Sequence, residues 1–118
     1  MEGLTSIRIL QISDCWDLKS LHPQAVKQYL ADLEELQIES CQIFHSLEGI
    51  GGLSALKALR IRDLPKLVAF PEELGDLKSL RKLHIENCRN LSSLPQGMRR
   101  LSDLKSTTSD FLFYLWTN

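Results

Sequence analysis

Aliphatic residues recur along this chain in one fixed order, Leu-x-x-Leu-x-Ile-x-x-Cys-x-x-Leu-x-x-Leu, and the order is met four times. The first copy runs Ile7, Leu10, Ile12, Cys15, Leu18, Leu21, and the second runs Leu33, Leu36, Ile38, Cys41, Phe44, Leu47. The third is Leu56, Leu59, Ile61, Leu64, Leu67, Phe70, and the fourth is Leu80, Leu83, Ile85, Cys88, Leu91, Leu94. In each, the Leu-x-Ile alternation has period two, which predicts a short strand with its aliphatic side chains on one face and the intervening residues on the other. The spacings from Leu10 to Leu36, Leu36 to Leu59 and Leu59 to Leu83 are 26, 23 and 24 residues. One copy cannot bury its own aliphatic row, so successive strands are expected to lie side by side in a parallel sheet.

The segments between strands have a different period. Leu74-Gly-Asp-Leu77-Lys-Ser-Leu80 and Met98-Arg-Arg-Leu101-Ser-Asp-Leu104 carry an apolar residue at every third position, which predicts 3₁₀ or loosely helical return segments. Pro71 and Pro95 stand just before them; proline fixes φ and lacks an amide hydrogen, which suits it to the turn. The first return is longer, and residues 22–30 predict a helix with Pro23 in its opening turn. A degraded fifth copy follows Leu101 and Leu104, with Thr107, Ser109, Leu112 and Leu115 in the equivalent places.

Periods of about 20–29 residues built on this motif are the mark of leucine-rich repeats. The expected fold is therefore α/β: a right-handed solenoid with a short parallel sheet on its concave face and 3₁₀ or short helical returns on its convex side. Residues 1–118 are expected to form a single domain, four full repeats followed by a degraded repeat or cap over 101–118. Two stretches are more specific. Ile-Glu-Asn-Cys-Arg-Asn-Leu-Ser-Ser-Leu-Pro-Gln-Gly-Met (85–98) and Ile-Arg-Asp-Leu-Pro-Lys-Leu-Val-Ala-Phe-Pro-Glu-Glu-Leu-Gly (61–75) resemble repeats of plant nucleotide-binding leucine-rich-repeat disease resistance proteins. The resemblance extends over residues 4 to about 104. It implies a region that recognises pathogen effectors, directly or through a guarded host protein, and that helps hold the receptor's nucleotide-binding module inactive. No phosphate-binding Gly-x-x-x-x-Gly-Lys-Ser/Thr loop accompanies it here, so the chain is expected to be a fragment or a small relative of such receptors.

Composition narrows the function further. Apolar residues make up 43% and charged residues 25% of the 118, the balance of an ordinary folded domain. With 14 basic and 15 acidic side chains the net charge is -1, so no global field draws the molecule to nucleic acid or to an anionic membrane. No apolar run approaches the roughly 20 residues of a membrane span. The Met-Glu-Gly-Leu-Thr-Ser start lacks the basic region and apolar core of a secretory signal, and a soluble, cytoplasmic protein is expected.

Cys15, Cys41 and Cys88 share one position of the pattern, and three cysteines without an export signal read as reduced, buried thiols. Leucine-rich repeats commonly hold a small polar residue there that hydrogen-bonds the backbone of the adjoining turn, a task a thiol does weakly. A zinc site requires about four converging ligands with short spacings, whereas these cysteines are at least one whole copy apart; Leu64 occupies the same position in the third copy. His22, His45 and His84 stand beside no evident nucleophile, and no Gly-x-Ser-x-Gly elbow is present. No enzyme activity, metal or cofactor is expected.

The outward positions of the strands are the candidate site. They form three columns: Gln11, Gln37, Arg60, His84; Ser13, Glu39, Arg62, Glu86; and Ile9, Glu35, Ala58, Lys82. The candidate partner-binding residues are Gln11, Glu35, Gln37, Glu39, Arg60, Arg62, Lys82, His84 and Glu86. Glu39, Arg62 and Glu86 alternate in sign, so they either neutralise one another across three strands or select a partner by charge. Acidic residues gather in the second copy (Glu34, Glu35, Glu39) and basic ones in the third and fourth (Lys57, Arg60, Arg62, Arg81, Lys82), a gradient that would orient an incoming protein.

The tail Phe111-Leu-Phe-Tyr-Leu-Trp116 reads either as a cap over the last copy's core or as a docking segment. End-to-end self-association through uncapped ends is a further expectation. Two protein-binding roles compete: the sensing and autoinhibitory repeats of a plant disease resistance protein, or a general adaptor such as the substrate-selecting repeats of a ubiquitin ligase.

Overall fold

The computed structural model describes residues 7–101 and 105–108, leaving aside the side chains of Arg99, Arg100 and 105–108. Five strands, β1 (Ile9–Ser13), β2 (Glu35–Glu39), β3 (Ala58–Arg62), β4 (Lys82–Glu86) and β5 (Lys105–Thr108), form one parallel sheet in sequence order. The class is α/β, as expected. Helical segments occupy the connections: α1 (Pro23–Tyr29) follows β1, and 3₁₀ turns at Ile50–Gly52, Glu72–Asp76 and Gln96–Arg100 follow β2, β3 and β4. Each of these four segments packs on the next in chain order, so they make a second layer beside the sheet.

The register follows the aliphatic pattern. Leu10, Leu36, Leu59 and Leu83 are direct partners on successive strands, and so are Ile12, Ile38, Ile61 and Ile85. Leu36, Ile38, Leu59, Ile61, Leu83 and Ile85 are buried, joined by Phe44, Leu47, Leu67, Leu74 and Leu91 from the connections in one continuous cluster. The alternation works because side chains one residue apart on a strand point to opposite faces, and the connecting layer covers only one of them.

Strand ends are set by a feature the aliphatic spacing does not report. Asp14, Ser40, Asp63 and Asn87, each directly after a strand, take left-handed conformations with φ of 57°, 55°, 53° and 53°. Such angles are costly for most L-residues and tolerated best by Gly, Asn and Asp, the types found at three of these four positions. The amides of Asp14, Ser40 and Asp63 still donate to the next strand, at 3.0–3.1 Å. The chain therefore turns out of the sheet without losing a ladder hydrogen bond.

The proline expectations hold. Pro71 and Pro95 immediately precede their 3₁₀ turns in extended conformation, and Pro23 opens α1 after the N-cap His22. The second and third of these turns approach closely: a Cβ added to Gly75 would lie 2.7 Å from the backbone of Gly97. Gly75 is thus a close-approach residue, present because any side chain would drive the two turns apart.

Three expectations need correction. Cys15 is exposed, whereas Cys41 and Cys88 are buried, because Cys15 lies in the first copy, where Leu10, Ile12 and Leu18 are themselves only partly buried. Ala58, expected outward, is buried; its single methyl group stands between the far longer side chains of its register partners Glu35 and Lys82. In the fifth copy the partners of Leu83 and Ile85 are Ser106 and Thr108, not Thr107 and Ser109. Backbone hydrogen bonds set that register, and they place β5 one residue earlier than extension of the preceding 24-residue spacing implies. Leu112, Leu115 and the aromatic tail lie outside the described residues. Among the described residues, no helix is long and apolar enough to cross a membrane.

Two substitutions test this packing. Leu59→Ala, fully buried between two leucines, is expected to cost about 2–5 kcal/mol, while Ile9→Ala at the exposed edge should change stability by no more than about 0.5 kcal/mol; urea denaturation midpoints discriminate them. Gly75→Ala, although it adds one methyl group, is expected to cost about 1–3 kcal/mol through overpacking, and an unchanged midpoint would show that the two turns are free to separate.

Candidate functional site

The face of the sheet opposite the core is built from the odd positions of each strand. Register sets Gln11, Gln37, Arg60 and His84 side by side, then Ser13, Glu39, Arg62 and Glu86, then Ile9, Glu35, Ala58 and Lys82. Neighbours within a column are about 4.8 Å apart, within reach of charged side chains. The sequence columns are therefore physical rows across the sheet. All nine candidate residues lie on this face; Gln11, Glu35, Arg60, Arg62, Lys82 and Glu86 are exposed, and Gln37, Glu39 and His84 are half-buried.

One row pairs internally. Arg62 holds three carboxylates: its Nη1 is 3.7 Å from Glu39 Oε2, and its Nε is 3.7 Å from Glu86 Oε2 and 3.6 Å from Asp63 Oδ2. His84 Nε2 lies 3.0 Å from the other Glu86 oxygen, so the cluster extends into the adjoining row. The mutual pairing open to this row is present in the structure. The distances are long and the Arg62 side chain is 54% exposed, so each contact is a screened surface pair that contributes at most about 0.2–1 kcal/mol.

A second row of ion pairs was missed from sequence. Glu34 Oε2 accepts a hydrogen bond from Arg8 Nη1 at 3.1 Å, and its Oε1 lies 3.7 Å from Lys57 Nζ. Arg8, Glu34, Lys57 and Arg81 directly precede β1 to β4, and the lone acidic residue between two basic ones at this pattern position was the available signal. Reading only the strand residues leaves this flanking row out.

Further charges lie between these rows. The side chains of Arg60, Lys82 and Glu35 take part in no ion pair or hydrogen bond among the described residues. Arg60 and Lys82 belong to adjacent strands, and Glu35 sits across the sheet on β2. The face is open: a dimple bounded by Ile9, Gln11, Glu35, Gln37, Ala58 and Arg60 encloses about 10 Å³, room for about one water.

Two larger depressions lie elsewhere. One, of about 420 Å³, is on the helical layer between α1 and the 3₁₀ turns, lined by Lys27, Gly49, Gly51, Glu73 and Asp76; its wall is tied by the Gly51 amide donating to Glu73 Oε1 at 2.9 Å. The other, of about 320 Å³, follows the left-handed residues at the strand ends and includes Ser40, Gln42, Asp63, Asn87 and Arg89. There the Asn87 amide donates to Asp63, and Asn90 Nδ2 donates to the Pro65 carbonyl at 2.5 Å. Its polar groups serve the turns. Among the described residues, no group of three or more His, Cys, Asp and Glu side chains is arranged to hold a metal ion.

The cysteine sulfurs serve the turns as well. Cys41 and Cys88 donate to the carbonyls of Glu39 and Glu86 at 3.4 and 3.5 Å, and Cys15 donates to Ser13 at 3.7 Å. Burial raises the pKa of both Cys41 and Cys88 above the ordinary thiol value, because the interior disfavours the thiolate.

No protein-family model matches this chain, and no curated protein matches it.

Replacing Arg62 by alanine should therefore lower stability by less than about 1 kcal/mol, and the loss should shrink as salt is raised from low ionic strength. A salt-independent loss of several kcal/mol in a denaturant titration would mean that Arg62 is part of the core rather than a screened bridge.

Proposed function

We propose that the chain is a leucine-rich-repeat solenoid whose concave, strand-bearing face binds another protein, in the manner of the repeat region of plant disease resistance receptors. It is supported by the parallel order of the strands, by the in-register leucine and isoleucine rows, and by the resemblance of residues 61–75 and 85–98 to that family's repeats. The single observation that carries the binding role is the division of charge on this face. Glu39 and Glu86 share Arg62, while Arg60, Lys82 and Glu35 find no side-chain partner among the described residues.

Unpaired surface charges on a rigid sheet give a partner orientation and association rate at little cost in order, since the strand backbone is already held. In this reading the face is a recognition surface rather than an active site, the dimple among its described residues having room for a water and not for a substrate. The partner is a protein: a pathogen effector, a guarded host protein, or another domain of the same receptor. Such a module works in the cytoplasm, without cofactor, nucleic acid or membrane.

The test is Arg60→Glu combined with Lys82→Glu, a pair that leaves the Arg62 cluster intact. Purified effectors, their host targets and receptor nucleotide-binding modules are titrated against both forms. A partner that binds the original chain is expected to lose at least about tenfold in affinity, the lower range for charges at an interface, with an unchanged melting temperature. Equal affinity for every such partner would remove this face from the interface.

A further inference from the structure

Cys15 and Cys41 occupy the same position on neighbouring copies of the pattern, and the structure holds them in register from both sides. Before them, β1 pairs with β2 at an offset of 26 residues, up to Ser13 opposite Glu39, and the Asp14 amide donates to Glu39 at 3.1 Å. After them, the offset is still 26: Ser20 bridges Ser46, the His45 amide donates to Lys19 at 2.9 Å, and the Leu21 amide donates to Ser46 at 3.3 Å. With no residue gained or lost between these ladders, Cys15 lies directly against Cys41. Both sulfurs point the same way, each donating to the carbonyl two residues back.

Paired positions on adjacent parallel strands are about 4.8 Å apart. A disulfide spans Cα separations of about 4.4–6.8 Å and Cβ separations of about 3.5–4.5 Å, so the two loops must close by less than about 1 Å. Cys88 has no such neighbour. At the 24-residue offset of β3 and β4 it lies against Leu64, and Cys41 lies against that same leucine on its other side. Accessibility differs too: Cys15 is exposed and Cys41 is fully buried.

We propose that Cys15 and Cys41 form a peroxide-sensitive dithiol, a reversible modification site at the open first rung of the sheet. The Cys15 thiolate attacks one oxygen of hydrogen peroxide; the O–O bond breaks and hydroxide leaves, taking up a proton to become water. The Cys41 sulfur then attacks the resulting sulfenic sulfur of Cys15. An S–S bond forms, the S–O bond breaks, and the displaced hydroxide leaves as a second water. Two thiols have lost two electrons and two protons, and the peroxide has been reduced to two waters. The product ties the partly buried first row, Leu10 and Ile12, to the buried second row. Because burial holds Cys41 protonated, the closing step accelerates as pH rises through and beyond the ordinary thiol range.

The test uses the full chain, reduced, freed of reductant and exposed to a small excess of hydrogen peroxide, followed by non-reducing mass spectrometry with peptide mapping. The expected product is a monomer lighter by two hydrogens, with titratable thiols falling from three to one, a Cys15–Cys41 linked peptide, and full reversal by dithiothreitol. Cys88→Ser should form the same link, and Cys15→Ser should form none; this exposed variant leaves the core untouched, so its result does not hinge on folding. Oxidation in denaturant supplies the contrast, since an unfolded chain yields Cys41–Cys88 pairs as well. Cys15 driven to sulfinic or sulfonic acid, a dimer joined through Cys15, native pairing to Cys88, or an unchanged thiol count would each overturn the proposal.

Discussion

An aliphatic row on one of these strands is sealed from water only by the rows on either side of it. Leu36 and Ile38, with neighbours on both flanks, are buried, whereas Leu10 and Ile12 on the edge strand are only partly so. The side chains are of the same types; the difference is a missing neighbour. Hydrophobic burial is proportional to area removed from water, and here that area is shared between copies rather than owned by any one. Stability in such an arrangement is a sum of nearest-neighbour terms, which is why register must hold along the whole sheet.

That constraint leaves the opposite face free of any role in the core. Its residues are selected by what they meet laterally, and lateral neighbours come from different copies of the pattern. Arg62 is neutralised because Glu39 and Glu86 flank it, while Arg60, two residues earlier on the same strand, lies between Gln37 and His84. Two arginines of one strand thus have different fates, one committed to the sheet and one available to something else. The screened, exposed pairs in the first row add little stability, but they set where charge remains.

The turns impose a third requirement. Strands β1 to β4 are each followed by a residue in the left-handed conformation, and the next residues hold the chain against the strand end. At that point a cysteine sulfur donates to the carbonyl two residues back in three of the copies. The bonds are weak and Leu64 replaces one of them, so packing rather than hydrogen bonding dominates at this position. What distinguishes Cys15 and Cys41 is adjacency, a property neither residue has alone.

The sequence by itself determined the strands, the identity of the inward rows, the proline-led returns and the columns on the outward face. Each follows from a short-range rule: period two for a strand, period three for a 3₁₀ turn, and a fixed spacing that brings like residues together. Local rules carry no information about which neighbour is present, how long it is, or whether a spacing slips by one. Tertiary structure alone decided that Ala58 is buried between its register partners Glu35 and Lys82, that Cys15 is exposed while Cys41 is not, and that Arg8 and Lys57 share Glu34. It also decided the register of β5, where ladder hydrogen bonds rather than leucine spacing select Ser106 and Thr108. The physical reason is common to all of these: burial and ion pairing are properties of adjacent copies, and a side chain acquires them only once its neighbours across the sheet are in place.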